Sequence, residues 1–130
     1  MNETAIITKV RRENLRDITS GKVAAIPKIT KIAFGSGGVD SDGTPLTPSE
    51  TQTALNEPIT NGIFDIDSVT YPNETTARYT ATIPATALVG VKISEAALVD
   101  ESGAVCAIRN MYVKQKDAGV IFTFTFDDEF

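Results

Sequence analysis

Residues 89–111 read VGVKISEAALVDESGAVCAIRNM, and this stretch decides the fold class. Val89, Val91, Ile93, Ala97 and Val99 recur at every second position, so they share one face of an extended strand. Asp100, Glu101, Ser102 and Gly103 supply turn chemistry, and Gly103 can take a positive φ. Ala104 to Met111 returns as a second, largely apolar strand, which makes the whole a β-hairpin. Glu95 breaks the pattern, because it falls on the face shared by Ile93, Ala97 and Val99. A carboxylate among apolar neighbours needs a partner or the sheet's rim. Lys31, Arg78 and Arg109 are the candidate cations.

Further strands flank the hairpin. Thr76 to Pro84 alternates cleanly, with Ala77, Tyr79, Ala81 and Ile83 facing in. Val120 to Phe126 places Val120, Phe122, Phe124 and Phe126 on one face, and Asp127, Asp128 and Glu129 follow as charged gatekeepers. Ile59 to Tyr71 reads as one long strand whose parity changes near Asp67 and Ser68, as a β-bulge or a kink would cause. Ile29 to Phe34 is a short strand ahead of a glycine-rich loop, Gly35 to Pro45. Tyr112 to Ala118 is polar and is expected to loop out.

Two helices are expected, at 3–20 and 48–56. The first is amphipathic: Ile7, Val10, Asn14 and Ile18 cluster opposite Lys9, Arg12 and Arg16, Asn2 can cap the start and Gly21 can close the end. Its basic side can face water while the helix lies on the sheet, or the helix can dock on another subunit. The second rests on a capping box, Thr47-Pro48-Ser49-Glu50. The fold class is therefore mainly β, an antiparallel sandwich-like domain with an N-terminal helix (1–21), a short helix in a long loop, and a β-rich body over 29–126.

At 130 residues, 42% hydrophobic and 22% charged, the chain reads as one ordered domain spanning 1–130. No apolar run is long enough to cross a bilayer as a helix, and Arg11 to Asn14 interrupt any signal-peptide pattern. Residues 1–31 carry a net +4, whereas residues 32–130 carry −9. An acidic body argues against nucleic acid as the partner. Histidine is absent, which removes the commonest general base and transition-metal ligand. The single cysteine, Cys106, has no histidine to activate it and reads as a small buried hydrophobe. Asp40, Asp42 and Gly43 match a calcium loop poorly and read as a turn. Asp65 and Asp67 could imitate a glycosidase pair, but alternate aspartates on a strand read as a solvated face. Asn73-Glu74-Thr75 fits a glycosylation pattern and reads as a turn. The sequence therefore offers no catalytic, cofactor or metal residues.

Three segments carry a family resemblance. They are Ile29 to Gly35 (ITKIAFG), Thr53 to Pro58 (TALNEP), and Ile93, Glu95, Leu98, Asp100 and Gly103 in ISEAALVDESG. In this order the chain resembles the N-terminal, baseplate-attachment domain of tail-collar fibre proteins from contractile-tailed bacteriophages and prophages. The resemblance implies a virion structural protein, a fibre head or baseplate connector. Its partners would be itself, as a homotrimer, and other tail or baseplate proteins, with no membrane partner. It would be assembled in the bacterial cytoplasm and located in the virion tail. Unlike a full fibre, the sequence given has no shaft or receptor-binding tip. The competing readings are a carbohydrate-binding β-sandwich module, which would need exposed aromatics such as Tyr71, Tyr79 or Tyr112, and a carboxylate-dependent hydrolase.

Overall fold

The computed structural model describes residues 5–130 and is mainly antiparallel β, with two sheets and one helix. The elements are β1 (Ala5–Ile7), α1 (Lys9–Thr19), β2 (Ile29–Gly35), β3 (Pro58–Asp65), β4 (Ser68–Asn73), β5 (Thr76–Ile83), β6 (Lys92–Asp100), β7 (Val105–Gln115) and β8 (Phe122–Glu129). The larger sheet has the order β1-β7-β6-β2-β3, and the smaller one β4-β5-β8. They face each other as a sandwich.

The core fills the space between the sheets. Ile32, Phe34, Ala96 and Leu98 from the larger sheet meet Ala81, Ile83 and Phe126 from the smaller. Phe34 packs edge-on against Phe124, with ring centroids 5.1 Å apart. The phenylalanine face of the last strand is core, as its alternation predicts. Val120 is not part of it: β8 starts at Phe122 and continues through Asp127, Asp128 and Glu129. These acids keep pairing because β5 runs alongside, with Arg78 opposite Asp127 and Thr76 opposite Glu129.

The central hairpin exists as β6 and β7, but its inward parity differs from the sequence expectation. Ala96 and Leu98 face the smaller sheet, whereas Ala97 packs on the outer face with Leu55 and Ile108. A register shift between Ile93 and Glu95 explains how Ile93 nevertheless joins the inner core. Val89 lies before the strand and is exposed; Leu88 and Gly90 have positive φ in the turn there. The second strand extends to Gln115, so Tyr112–Gln115 pairs rather than looping out.

The long strand expected over 59–71 is two strands in different sheets. The Ile66 amide donates to Thr30 in the larger sheet, and the next amide, Asp67, donates to Thr80 in the smaller. Of the two causes expected for the parity change near Asp67, the bulge within one sheet is not the one at work; the chain bends there as it passes from one sheet to the other.

The helix expected over 3–20 is also shorter. Residues 1–4, including the expected cap Asn2, lie outside the described residues. Ala5–Ile7 pairs antiparallel with β7, Ile6 opposite Ile108. β-Branched isoleucines suit a strand, and pairing covers the edge that β7 would otherwise expose. Thr8 is the actual N-cap: its hydroxyl accepts from the Arg11 amide at 3.4 Å and donates to the Val105 carbonyl at 2.7 Å. Gly21 does close the end at φ 82°.

No apolar side chain of α1 is fully buried; the buried residue is Arg11. Its Nη1 lies 2.6 Å from Oδ2 of buried Asp128. Its guanidinium also stands 5.0 Å from the Phe130 ring centre. Burial pushes the Asp128 carboxyl above the usual range, and the attraction and hydrogen bond from Arg11 only partly offset this. A raised folded pKa means that the stability tied to Asp128 is full below the unfolded value, about pH 4, and is lost as pH rises through the folded value. Asp128→Asn should therefore be less destabilising at pH 7 than at pH 3.5, measured by urea unfolding of both proteins. The opposite order would show that attraction to Arg11 outweighs burial.

Candidate functional site: the Glu95 loop anchor

The residue that broke the sequence pattern organises the structure's longest loop. Glu95 is fully buried. Its Oε1 accepts from the Asn56 amide at 3.0 Å, and its Oε2 accepts from the Gly37 and Glu57 amides at 3.0 and 2.8 Å. Its partners are therefore backbone N–H groups from both ends of the loop between β2 and β3. Three donors replace the water that the carboxylate loses on burial.

None of the three cations expected from sequence reaches it. Lys31 pairs with Asp65 at 2.5 Å, and Arg78 makes a two-pronged pair with Asp127 at 2.8 and 3.0 Å. Arg109 sits opposite Ala96 in the β6–β7 register, so it projects to the other face from Glu95. There its Nη1 donates to the Thr125 carbonyl at 3.5 Å and the guanidinium stands 5.7 Å from the Phe124 ring centre.

The neighbours of Glu95 complete the anchor. The Ser94 hydroxyl accepts from the Gly38 amide at 2.9 Å, and the Asn110 side chain donates to the Leu46 carbonyl at 2.9 Å. The loop also ties to itself: Ser36 donates to Glu57, Leu46 to Gly38, and the Asn56 side chain to Gly37. Leu55 then lies over Ala97 and Ile108, so the loop forms a cover on the outer face of the larger sheet. With a sheet on one side and this cover on the other, every residue of β6 after Lys92 is buried.

Close approach explains the glycines. A Cβ on Gly38 would overlap the Ser94 carbonyl oxygen, and one on Gly35 would overlap the Glu95 carboxylate. The helix expected over 48–56 does not form in this setting. Ser49 and Gln52 make the reciprocal bonds of a single turn, at 2.8 Å from the Ser49 amide to Oε1 of Gln52 and 3.1 Å from the Gln52 amide to the Ser49 carbonyl. The amides of Asn56 and Glu57 then go to Glu95 rather than to a helical ladder. The Glu50 carbonyl accepts from the Lys9 amide at 2.6 Å, which also joins the loop to the start of α1.

The remaining acids stay apart. Asp65 is with Lys31, while Asp67 accepts from the Thr82 hydroxyl at 2.6 Å. Asp40 accepts from the Asp42 and Thr44 amides, which makes an Asx-type turn. Asn73 accepts from the Thr75 amide and hydroxyl at the β4–β5 turn. No group of His, Cys, Asp or Glu able to hold a metal ion occurs among the described residues. At the hairpin turn, burial pushes the Asp100 carboxyl up. Hydrogen bonds from Ser102, Ala104 and Cys106 outweigh this and bring it below the usual range. Burial first, then the Asp100 charge, pushes the Cys106 thiol up to about 12.

Lys116 is a structural residue that the sequence does not single out. It lies in the polar run after β7, yet it is fully buried. Its ammonium donates to the Ala85 carbonyl at 3.2 Å and the Asp117 carbonyl at 3.5 Å. A lone lysine between polar neighbours gives no sequence signal for this role.

Glu95→Gln replaces one acceptor oxygen with an amide donor facing a backbone N–H. It should cost about 2–4 kcal/mol in urea unfolding. It should also speed cleavage by a glutamate-specific protease at Glu50 and Glu57 before global unfolding. Gly38→Ala should destabilise by a similar or larger amount. Cys106 should resist a thiol reagent at pH 8 in the native protein and react fully once unfolded in urea.

No protein-family model, curated protein or solved structure matches this chain.

Proposed function

We propose that the chain is a phage or prophage tail structural protein, a fibre head or baseplate connector acting by protein–protein contact and not by catalysis. One observation carries this reading. The segments behind the family resemblance meet on one carboxylate: Gly35 pairs with Glu95 across β2 and β6, and Asn56 and Glu57 donate to it. The shared pattern is thus a unit for holding a loop cover on a sheet. A Glu whose oxygens are taken by main-chain amides suits a structural role.

Helix α1 offers a contact surface. Ile18 is exposed, Val10 and Leu15 are half-buried, and Lys9, Arg12 and Arg16 face solvent. Another copy of the chain, or a neighbouring tail protein, can cover such a face.

Size-exclusion chromatography with light scattering at two concentrations tests the self-assembling form. The expected mass is near three times the 13.9 kDa of one chain. Leu15→Glu with Ile18→Glu should reduce it to one chain without loss of fold by circular dichroism. A monomer at high concentration would overturn the homotrimer. The connector reading would then rest on capture of neighbouring tail proteins in a pull-down.

A carbohydrate-binding module is the second reading. It is favoured by an open groove where exposed Tyr71 and Phe130 flank Asn73, Glu74 and Thr75. A negative glycan array at high protein concentration removes it.

A further inference from the structure

One segment of the chain is left bare by its own fold. Between α1 and β2, residues 20–28 read SGKVAAIPK and form neither helix nor strand. The segment is tied only near its ends. The Val23 amide donates to the Asp17 carbonyl at 3.2 Å, and the Lys28 amide donates to the Glu101 carboxylate at 2.7 Å. In between, the amides and carbonyls of Ala24, Ala25 and Ile26 make no hydrogen bond among the described residues. Val23, Ala24, Ala25 and Pro27 are exposed and Ile26 is half-buried. A run of apolar residues in water is a liability unless something covers it.

The outer face of the larger sheet has a matching gap. Beside Leu55 of the loop cover, a groove of about 180 Å³ stays open. Ala33, Val99 and Val105 line it, and Ile63 of β3 stands at its edge, 59% exposed. Its apolar surface is reachable, since Ala33 and Val105 are only half-buried and Pro58 is exposed. Ile63 pairs with Ala33, and no strand follows β3 in the sheet order, so this side of the groove lies open. None of residues 20–28 lines the groove of its own chain.

Charge selects the occupant. Lys22 and Lys28 bracket the bare segment, while Glu57 and Asp65 bracket the groove's β3 wall. All four are exposed, and neither lysine nor Glu57 has an ion pair among the described residues. The same contrast holds over the whole chain, with +4 on residues 1–31 and −9 on residues 32–130. A basic apolar strip and an acidic apolar groove in one sequence are complementary between copies.

We propose that residues 22–28 of one copy dock in this groove of a second copy. Val23 to Ile26 cover Ile63 and Leu55, and the two lysines meet Glu57 and Asp65. The contact joins two different patches, so it is heterologous and closes as a ring. This deepens the assembly reading above and rests on it, because it names the surface that receives the segment following α1.

Sedimentation velocity of the intact chain over a range of concentrations tests the contact. Ile63→Glu should weaken association about tenfold or more and leave the circular dichroism unchanged, because Ile63 is exposed. Lys22→Glu with Lys28→Glu should weaken it about tenfold, and so should Glu57→Lys with Asp65→Lys. A chain carrying all four charge reversals should recover most of the loss. Association unchanged by Ile63→Glu, or no recovery in the fourfold variant, overturns the groove contact. If Leu15→Glu with Ile18→Glu abolishes association while Ile63→Glu does not, the assembly stands and this contact falls. A chain that is monomeric at every concentration removes both. A dimer that obeys the same charge rules supports the contact and removes the homotrimer.

Discussion

The structure depends on a buried carboxylate that has no cation. An isolated charge in a protein interior carries a desolvation penalty of several kcal/mol unless fixed dipoles replace the lost water. Glu95 meets that requirement with three backbone amides, from Gly37, Asn56 and Glu57. Both ends of the β2–β3 loop are thereby held at one point of β6. The amides need acceptors as much as the carboxylate needs donors, because a covering loop that lies on a sheet cannot leave its own N–H groups unpaired. One side chain satisfies both demands, and this lets a loop with little regular structure serve as the second face of a fully buried strand.

Arg11 and Asp128 solve the corresponding problem at the other end of the chain in a different way. Here two charged side chains are buried together, 2.6 Å apart, where α1 meets β8. The direction of the Asp128 shift shows that burial outweighs the attraction on the carboxylate's side. Such a pair adds little net stability, but breaking it leaves a costly lone charge. It therefore determines where α1 sits more than how firmly the domain holds. The helix buries no apolar side chain fully, so its placement rests on this pair, on the Thr8 cap and on the Lys9–Glu50 hydrogen bond.

Much of the fold was legible because alternation is a local signal. The inward faces of β5 and β8 follow from single residues such as Ala81, Ile83, Phe124 and Phe126. Legibility failed where a distant segment decided the outcome. Ala5–Ile7 has helical spacing, yet β7 supplies an edge. The run after Thr47 has a capping box, yet its last amides are drawn to Glu95. Asp67 looks like a bulge because periodicity cannot distinguish a kink within a sheet from a passage between sheets. For the anchor, the sequence marked Glu95 as anomalous and marked the glycines of the loop. It could not join them, because a carboxylate's side-chain partners can be searched by residue type and its main-chain partners cannot.

That distinction bears on how the short patterns in this chain are read. An acid in an apolar strand suggests catalysis or an ion pair when only side chains are considered. Here the same acid is a bracket, and the features around it follow from that role. Gly35 and Gly38 are small because the carboxylate and the Ser94 carbonyl occupy the space a side chain would need. Leu55 is apolar because the bracket brings it down on Ala97 and Ile108. Residue identities spread over three segments are set by one geometric task. A pattern of this kind can persist without any reaction to preserve, since loss of any member exposes the same strand.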